Sequence, residues 1–143
     1  FVKIKNPSKR KSKLFDEKFN SVSVFNLKLV DTFPKKPLNF YSRIKIKIST
    51  ELQINSKKLQ KLKDLTTCPI VIYEKSGKRY EKKIFDLKYK KNSTNLFTII
   101  MSAEGGFPIK RFVIGDDVSP NISSLLDNSC VAQEFDFLDI VLK

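Results

Sequence analysis

Three groups of residues in this 143-residue chain have the type and spacing for chemistry. The first is the run "SAEGGFPIKRFVIGDDVSP", from Ser102 to Pro120. Three of the four glycines fall in it, Gly105, Gly106 and Gly115, and between them sit Lys110 and Arg111, the only basic residues between Lys91 and Lys143. A strand that ends at two glycines and runs into a basic helical start can form a phosphate-binding corner. A plain tight turn uses the same residues. There is no Walker lysine spacing and no GxGxxG. Asp116-Asp117 read as a cap and turn after a helix rather than as metal ligands. The second group is Tyr41 with Arg43 in "FYSRI". The third comprises the basic clusters Lys9-Arg10-Lys11, Lys35-Lys36 and Lys75 with Lys78-Arg79, with Phe40, Tyr41, Tyr73 and Tyr80 nearby. Cations beside aromatic rings suit RNA, whose phosphates meet Lys and Arg while an unstacked base meets a ring. The alternative places Phe40 in the core and the tyrosines on an ordinary surface. Tyr41 fits that alternative worst, because it shares the polar face of the clearest strand with Arg43.

What is missing narrows the chemistry further. The chain has no His, which excludes a His general base, a Ser-His triad and most zinc sites; no metal site is expected. Cys68 and Cys130 lack a CxxC spacing and read as buried thiols of a reducing compartment, with a reactive thiol as the alternative. The expected location is intracellular, cytoplasmic or nuclear. The apolar runs are too short for a membrane helix, and no signal-peptide pattern is visible at the N-terminus. The net charge of +13 points to an anionic partner, most often nucleic acid. A generally Lys-rich composition would give the same total, but the charge is polarised. Residues 1–91 carry 25 Lys/Arg against 8 Asp/Glu, and residues 92–143 carry 3 against 7.

These residues need elements to hold them. "FVKIK" reads as a strand, "NPSKRK" as a basic turn, and "SKLFDEKF" as a short helix capped by Ser12. "SVSVFNLKLVD" reads as a strand with a bulge near Phe25, and "TFPKKPLN" as a loop. "FYSRIKIKIS" is the clearest strand: Phe40, Ile44, Ile46 and Ile48 share one face, and Tyr41, Arg43, Lys45 and Lys47 the other. "NSKKLQKLKDL" is an amphipathic helix from Asn55 or Ser56 with Leu59, Leu62 and Leu65 as its stripe. "CPIVIYE" is a strand that turns at "KSGK". "RYEKKIFDLKYKK" is one long second arm with Ile84 and Leu87 buried. Asn92-Ser93-Thr94 then turn into the buried strand "NLFTIIMSA". Proline early and glycine late make Phe107–Ile114 a short helix. In "SPNISSLLDN" Ser119 caps, Pro120 takes the first turn, and Ile122, Leu125 and Leu126 point inward. "CVAQEFDFLDIVLK" reads as an inner strand. The expected architecture is α+β, a mostly antiparallel mixed sheet with a few short helices. The chain begins at "FVKIK" without Met, which suggests a processed product or a fragment of a longer protein.

Four blocks, in order along nearly the whole chain, resemble the archaeal and eukaryotic "Pus ten" tRNA pseudouridine synthases. They are "FVKIKNPSKRK", "FYSRI", "AEGGFPIKRFVIGDD" and "SPNISSLLDNSCVAQEFDFLDIVL". The third is the most specific. The resemblance implies a pseudouridine-synthase-like fold and, over residues 1–143, the C-terminal part of a catalytic domain. The implied activity is isomerisation of T-loop uridine without a cofactor. An Asp attacks the flipped nucleotide, the uracil turns, and a carbon–carbon bond replaces the glycosidic bond. By resemblance, Tyr41 stacks on the base and is the candidate general base for the final proton. Lys110 pairs with the Asp, and Phe112 packs beside the ring. The implied RNA contacts are Lys9, Arg10, Lys11, Arg43, Lys75, Lys78 and Arg79, and the implied partner is the tRNA T-arm, bound by a monomer. The catalytic Asp is expected upstream of Phe1; Asp31, Asp116 and Asp117 are not assigned to that role. The chain departs from the pattern at Tyr73-Glu74-Lys75, where the family has His-Arg-Arg, and at Pro108, where it has Tyr. It also lacks the family's Gly-Arg-Thr after Gly-Asp. A non-catalytic RNA-binding module on the same fold is the alternative, and an unrelated basic scaffold protein is a third reading.

Overall fold

The structure, a computed structural model, describes residues 39–142 and, before them, two short strands. The chain divides into two units, Phe1–Leu38 and Asn39–Lys143. In the first, β1 (Lys18–Phe19) pairs antiparallel with β2 (Val22–Ser23), placing Phe19 opposite Val22. This corrects the helix expected through Phe19. An aromatic residue opposite a β-branched one favours extended pairing. The expected strand at "FVKIK", the basic turn, Lys9, Arg10, Lys11 and the proline loop lie outside the described residues, as does Lys35-Lys36.

In the second unit, β3 (Phe40–Thr50) is the centre of a four-stranded antiparallel sheet. The sheet order is β6 (Ile84–Ser93), β7 (Leu96–Glu104), β3, β9 (Cys130–Leu142). The alternation read from the sequence holds: Ile44, Ile46 and Ile48 are buried while Arg43 and Lys45 are exposed. β7 packs Phe97, Ile99 and Met101 into the same core. Between β3 and the next strand, α1 (Ser56–Gln60) is capped by Asn55, whose side chain accepts from the Lys57 amide. It continues as a 3-10 helix over Lys61–Thr66. Leu59, Leu62 and Leu65 are buried as expected. Their spacing of three matches a 3-10 repeat, which explains the tighter second half.

The expected long arm from Arg79 is two strands. β5 (Arg79–Lys82) pairs with β4 (Ile70–Tyr73), and after a break at Lys83 β6 joins the other sheet beside β7. A second sheet of order β5-β4-β8 is completed by β8 (Val118–Ser119). The β6–β7 turn is Thr94-Asn95, so Asn92 and Ser93 still belong to the strand. The short helix at Phe107–Ile114 is present as α2 (Ile109–Ile114), opened by Pro108 and closed by Gly115 at φ +90°. α3 (Ile122–Leu126) is capped by Asn121, whose side chain accepts from the Ser124 amide. Ser119 is not the cap, because it is held in β8.

β9 differs most from expectation. Among the described residues it is an edge strand, and Phe137 is 54% and Ile140 57% exposed. Facing residues of an antiparallel pair share one side of the sheet. Glu134 and Asp136, opposite Lys47 and Lys45, therefore lie on the outer face. Phe135 and Phe137, opposite Ile46 and Ile44, lie on the core side and are still 36% and 54% exposed.

Gly115 tests the junction between α2 and α3. A Cβ there would approach the Asn121 Oδ1 to 2.8 Å, at a φ that an L side chain rarely adopts. Gly115→Ala is expected to destabilise the fold by about 2 kcal/mol through left-handed strain and loss of the Asn121 cap. Urea unfolding should show a lower midpoint; an unchanged midpoint contradicts this reading.

Candidate functional site

Tyr41 stands at one end of the four-stranded sheet, and Lys110 lies on α2, which the chain enters after leaving that end of β7. Tyr41 starts β3, opposite Glu104 at the end of β7 and Val141 near the end of β9. Its half-buried ring meets Phe85, at the start of β6, edge to face at 6.2 Å and 72°. From Glu104 the chain leaves β7 directly across the Phe40 ring. The Gly105 amide donates to the Phe40 carbonyl at 2.7 Å, and a Cβ on Gly105 would come within 2.5 Å of that ring. Only glycine leaves room for this approach. The Lys82 ammonium donates to the Gly105 carbonyl at 2.6 Å and closes the corner from the β5 side. Gly106, at φ +70°, then turns the chain into Phe107 and α2. The glycine pair therefore ends a buried strand, and the corner's cation is Lys82, bonded to backbone.

The basic pair splits into two roles. Arg111 is committed. Its Nη2 donates to the Tyr73 carbonyl at 2.5 Å, its Nη1 to the Glu74 Oε1 at 3.3 Å, and its Nε to the Asp116 carbonyl at 3.1 Å. The Asp116 and Asp117 carboxylates lie 3.8 and 4.0 Å from the guanidinium, as turn residues serving this arginine. Tyr80 donates to the same Glu74 oxygen at 2.9 Å. Burial, then that hydrogen bond and the Glu74 charge, push the Tyr80 phenol above its ordinary value, against the lowering effect of Arg111. The phenol therefore stays a donor at neutral pH.

Lys110, one residue earlier, is exposed and makes no hydrogen bond or ion pair among the described residues. Phe112 is 0% exposed and packs edge to face on Phe107 at 5.0 Å. It seats α2 and so fixes where Lys110 stands, and offers no face of its own. Among the described residues no bond joins Tyr41 and Lys110, and α2 is tied at Val113, whose carbonyl accepts from the Ser123 hydroxyl at 2.8 Å, toward Cys130 at the other end of the sheet.

Of the expected RNA contacts, Arg43 is exposed on the outer face of β3, two residues from Tyr41. Lys75 and Lys78 are exposed in the β4–β5 turn, and Arg79 is paired with Glu81 at 2.7 Å. Cys68 is exposed, which corrects the expectation of two buried thiols; Cys130 is buried. Among the described residues no group of three His, Cys, Asp or Glu could hold a metal, and no helix is long and apolar enough to cross a membrane. Sequence reasoning missed Phe85 and Lys82. The signal for Phe85 was a large aromatic residue next to buried Ile84 on an otherwise Lys-rich strand.

The fold is α+β, antiparallel sheets with short helices, with a partly exposed aromatic ring, Tyr41, at one end of the larger sheet and an exposed cation, Lys110, on α2. Residues 8–141 match the family described as "Pus10, C-terminal". The chain is 52% identical over 143 residues to the tRNA pseudouridine synthase Pus10 of Nitrosopumilus maritimus (strain SCM1), covering 100% of this chain and 38% of the relative. It is 31% identical over 126 residues to the tRNA pseudouridine synthase Pus10 of Cenarchaeum symbiosum (strain A), covering 88% of this chain and 31% of that protein. The chain belongs to the Pus10 family, as its sequence blocks suggested, and spans less than two-fifths of the length of these relatives.

The division within the basic pair predicts a contrast between neighbours. Arg111→Ala should destabilise the fold by about 1–2 kcal/mol, because three carbonyl and carboxylate acceptors lose a charged donor. Arg111→Lys should restore only part of this, lacking the planar fork. Lys110→Ala should change stability by no more than about 0.5 kcal/mol. Equal losses at the two positions, read by chemical unfolding, contradict the assignment.

Proposed function

We propose that this chain is the C-terminal part of the catalytic domain of a tRNA pseudouridine synthase that acts on T-loop uridine. The observation that carries the reading is a partly exposed Tyr41 ring and a Lys110 with no partner among the described residues, both inside the sequence blocks that resemble the family, in a chain whose relatives are named tRNA pseudouridine synthases. The carboxylate nucleophile comes from the part of the polypeptide outside this chain. The exposed apolar side chains of β9 support such a division, since natural sheets cover a long apolar edge.

In this reading the uridine is flipped out of the T-loop and its uracil lies on Tyr41. The carboxylate attacks C1′ as the bond to N1 breaks, and the uracil turns so that C5 bonds C1′ and displaces the carboxylate. The proton leaves C5 to a base and N1 regains one, so the product is an isomer and no redox partner is required. The Tyr41 hydroxyl takes the C5 proton. The Lys110 ammonium keeps the nucleophilic carboxylate ionised. Phe112 acts through the seat it gives α2. Arg43 beside Tyr41, with Lys75 and Lys78 on the β4–β5 turn, meets phosphates of the T-arm. Lys9, Arg10 and Lys11 are proposed for the same role.

In the full-length protein, Tyr41→Ala and Lys110→Ala should each lower kcat for pseudouridine formation in T-arm RNA by about a hundredfold or more. Tyr41→Phe should keep RNA affinity while still losing kcat. RNA affinity should fall steeply with added salt. Full activity in Tyr41→Ala, measured by quantifying pseudouridine, contradicts the site.

A further inference from the structure

The hairpin of β4 and β5 presents an aromatic ring that the reading above does not use. Tyr73, the last residue of β4, is 47% exposed, and its side chain makes no hydrogen bond or ring contact among the described residues. Its backbone is held from both sides. The amide donates to the Asp117 carbonyl at 2.9 Å, and the carbonyl accepts from the Arg111 guanidinium at 2.5 Å. The turn that follows is closed by the Glu74 amide on the Lys78 carbonyl and the Gly77 amide on the Glu74 carbonyl, each at 2.8 Å. A firmly held strand end thus carries a ring that stays half open to solvent. We propose that Tyr73 stacks an unpaired base of the T-arm RNA other than the target uridine, with the flanking phosphates on Lys75 and Lys78.

Three observations carry the proposal, which rests on the reading of this chain as part of a tRNA pseudouridine synthase. The first is the face. Tyr73 stands opposite Arg79, so the two side chains share one side of the β5-β4-β8 sheet, while Ile70 and Ile72 alternate to the other side and are buried. The ring is therefore directed away from the core. The second is charge. The two carboxylates of the hairpin are both matched: Glu81 pairs with Arg79, and Glu74 receives Arg111 and the Tyr80 phenol. Lys75 and Lys78 are exposed, and their ammonium groups make no hydrogen bond or ion pair among the described residues. An open ring beside unpaired cations suits an unstacked base and its phosphates together. The third is spacing. β5 runs from Arg79, opposite Tyr73, to Lys82, whose ammonium bonds the Gly105 carbonyl at the corner where Phe40 leads into Tyr41. Three steps of strand cover about 10 Å, so a base on Tyr73 is a different one from the base on Tyr41.

The test separates stacking from charge and from bulk. In the full-length protein, Tyr73→Ala should raise the Kd for a T-arm RNA hairpin at least about fivefold, the lower end of the loss from removing one base–aromatic stack. The salt slope of binding should stay the same, because no phosphate contact is lost. Tyr73→Phe, which keeps the ring and drops the hydroxyl, should bind like the native protein. Tyr73→Leu, of similar bulk and without a π-face, should lose affinity as Tyr73→Ala does. Lys75→Ala combined with Lys78→Ala should weaken binding and reduce the salt slope by about two phosphate contacts. A Tyr73→Ala variant with unaltered Kd overturns the proposal, as does a Tyr73→Leu variant that binds like the native protein, since the ring would then supply bulk and not a stacking face. Retained pseudouridine formation in Tyr41→Ala would instead defeat the functional assignment, so the two failures are distinguishable.

Discussion

The register of β3 against β7 decides everything else in the described structure. Tyr41 faces Glu104, and the pairing runs without a shift to Ser49 opposite Leu96. Side chains alternate across a strand, so this one choice sends Ile44, Ile46 and Ile48 inward and Tyr41, Arg43 and Lys45 outward. A slip by one residue would bury the charged set and expose the isoleucines, each worth about 1.5–3 kcal/mol when buried. The same register brings the end of β7 to the start of β3. The chain leaving β7 must therefore cross Phe40 before it enters α2.

Two tethers fix the path of the chain from β7 through α2. At the first, Phe40, Gly105 and Lys82 join the four-stranded sheet to the strand that precedes β6. At the second, Arg111 joins α2 to the end of β4, with Glu74 shared between its guanidinium and the Tyr80 phenol. The neutral phenol donates to the carboxylate that also receives the guanidinium. Glu74 is thus paired from two sides, and Lys110 is left as the cation of α2 with no partner among the described residues. The fold spends one member of the basic pair on architecture and leaves the other exposed.

Much of this was legible in the sequence, for identifiable reasons. The alternation of β3 was plain because one face is apolar and the other basic. Helix α2 was marked by Pro108 and Gly115. What could not be read was which side of a short helix faces the core. Lys110, Arg111 and Phe112 are consecutive, and only tertiary packing shows that Phe112 is buried, Arg111 tied down and Lys110 exposed. The break at Lys83 was hidden because residues on both sides suit a strand. The apolar composition of β9 suggested an inner strand, but composition does not tell a strand covered within this chain from one that stands at the edge of the described sheet. The family was legible from the blocks around Tyr41 and Lys110, whereas Phe85 belongs to none of them and came to light only through its contact with Tyr41.

The most direct test of the central claim is photo-crosslinking of the full-length protein to a T-arm RNA hairpin carrying 4-thiouridine at the target position. If Tyr41 and Lys110 belong to one active site, the crosslinked peptides will contain Tyr41 or Lys110. Crosslinks confined to other surfaces, such as α1 or the outer residues of β9, would contradict it.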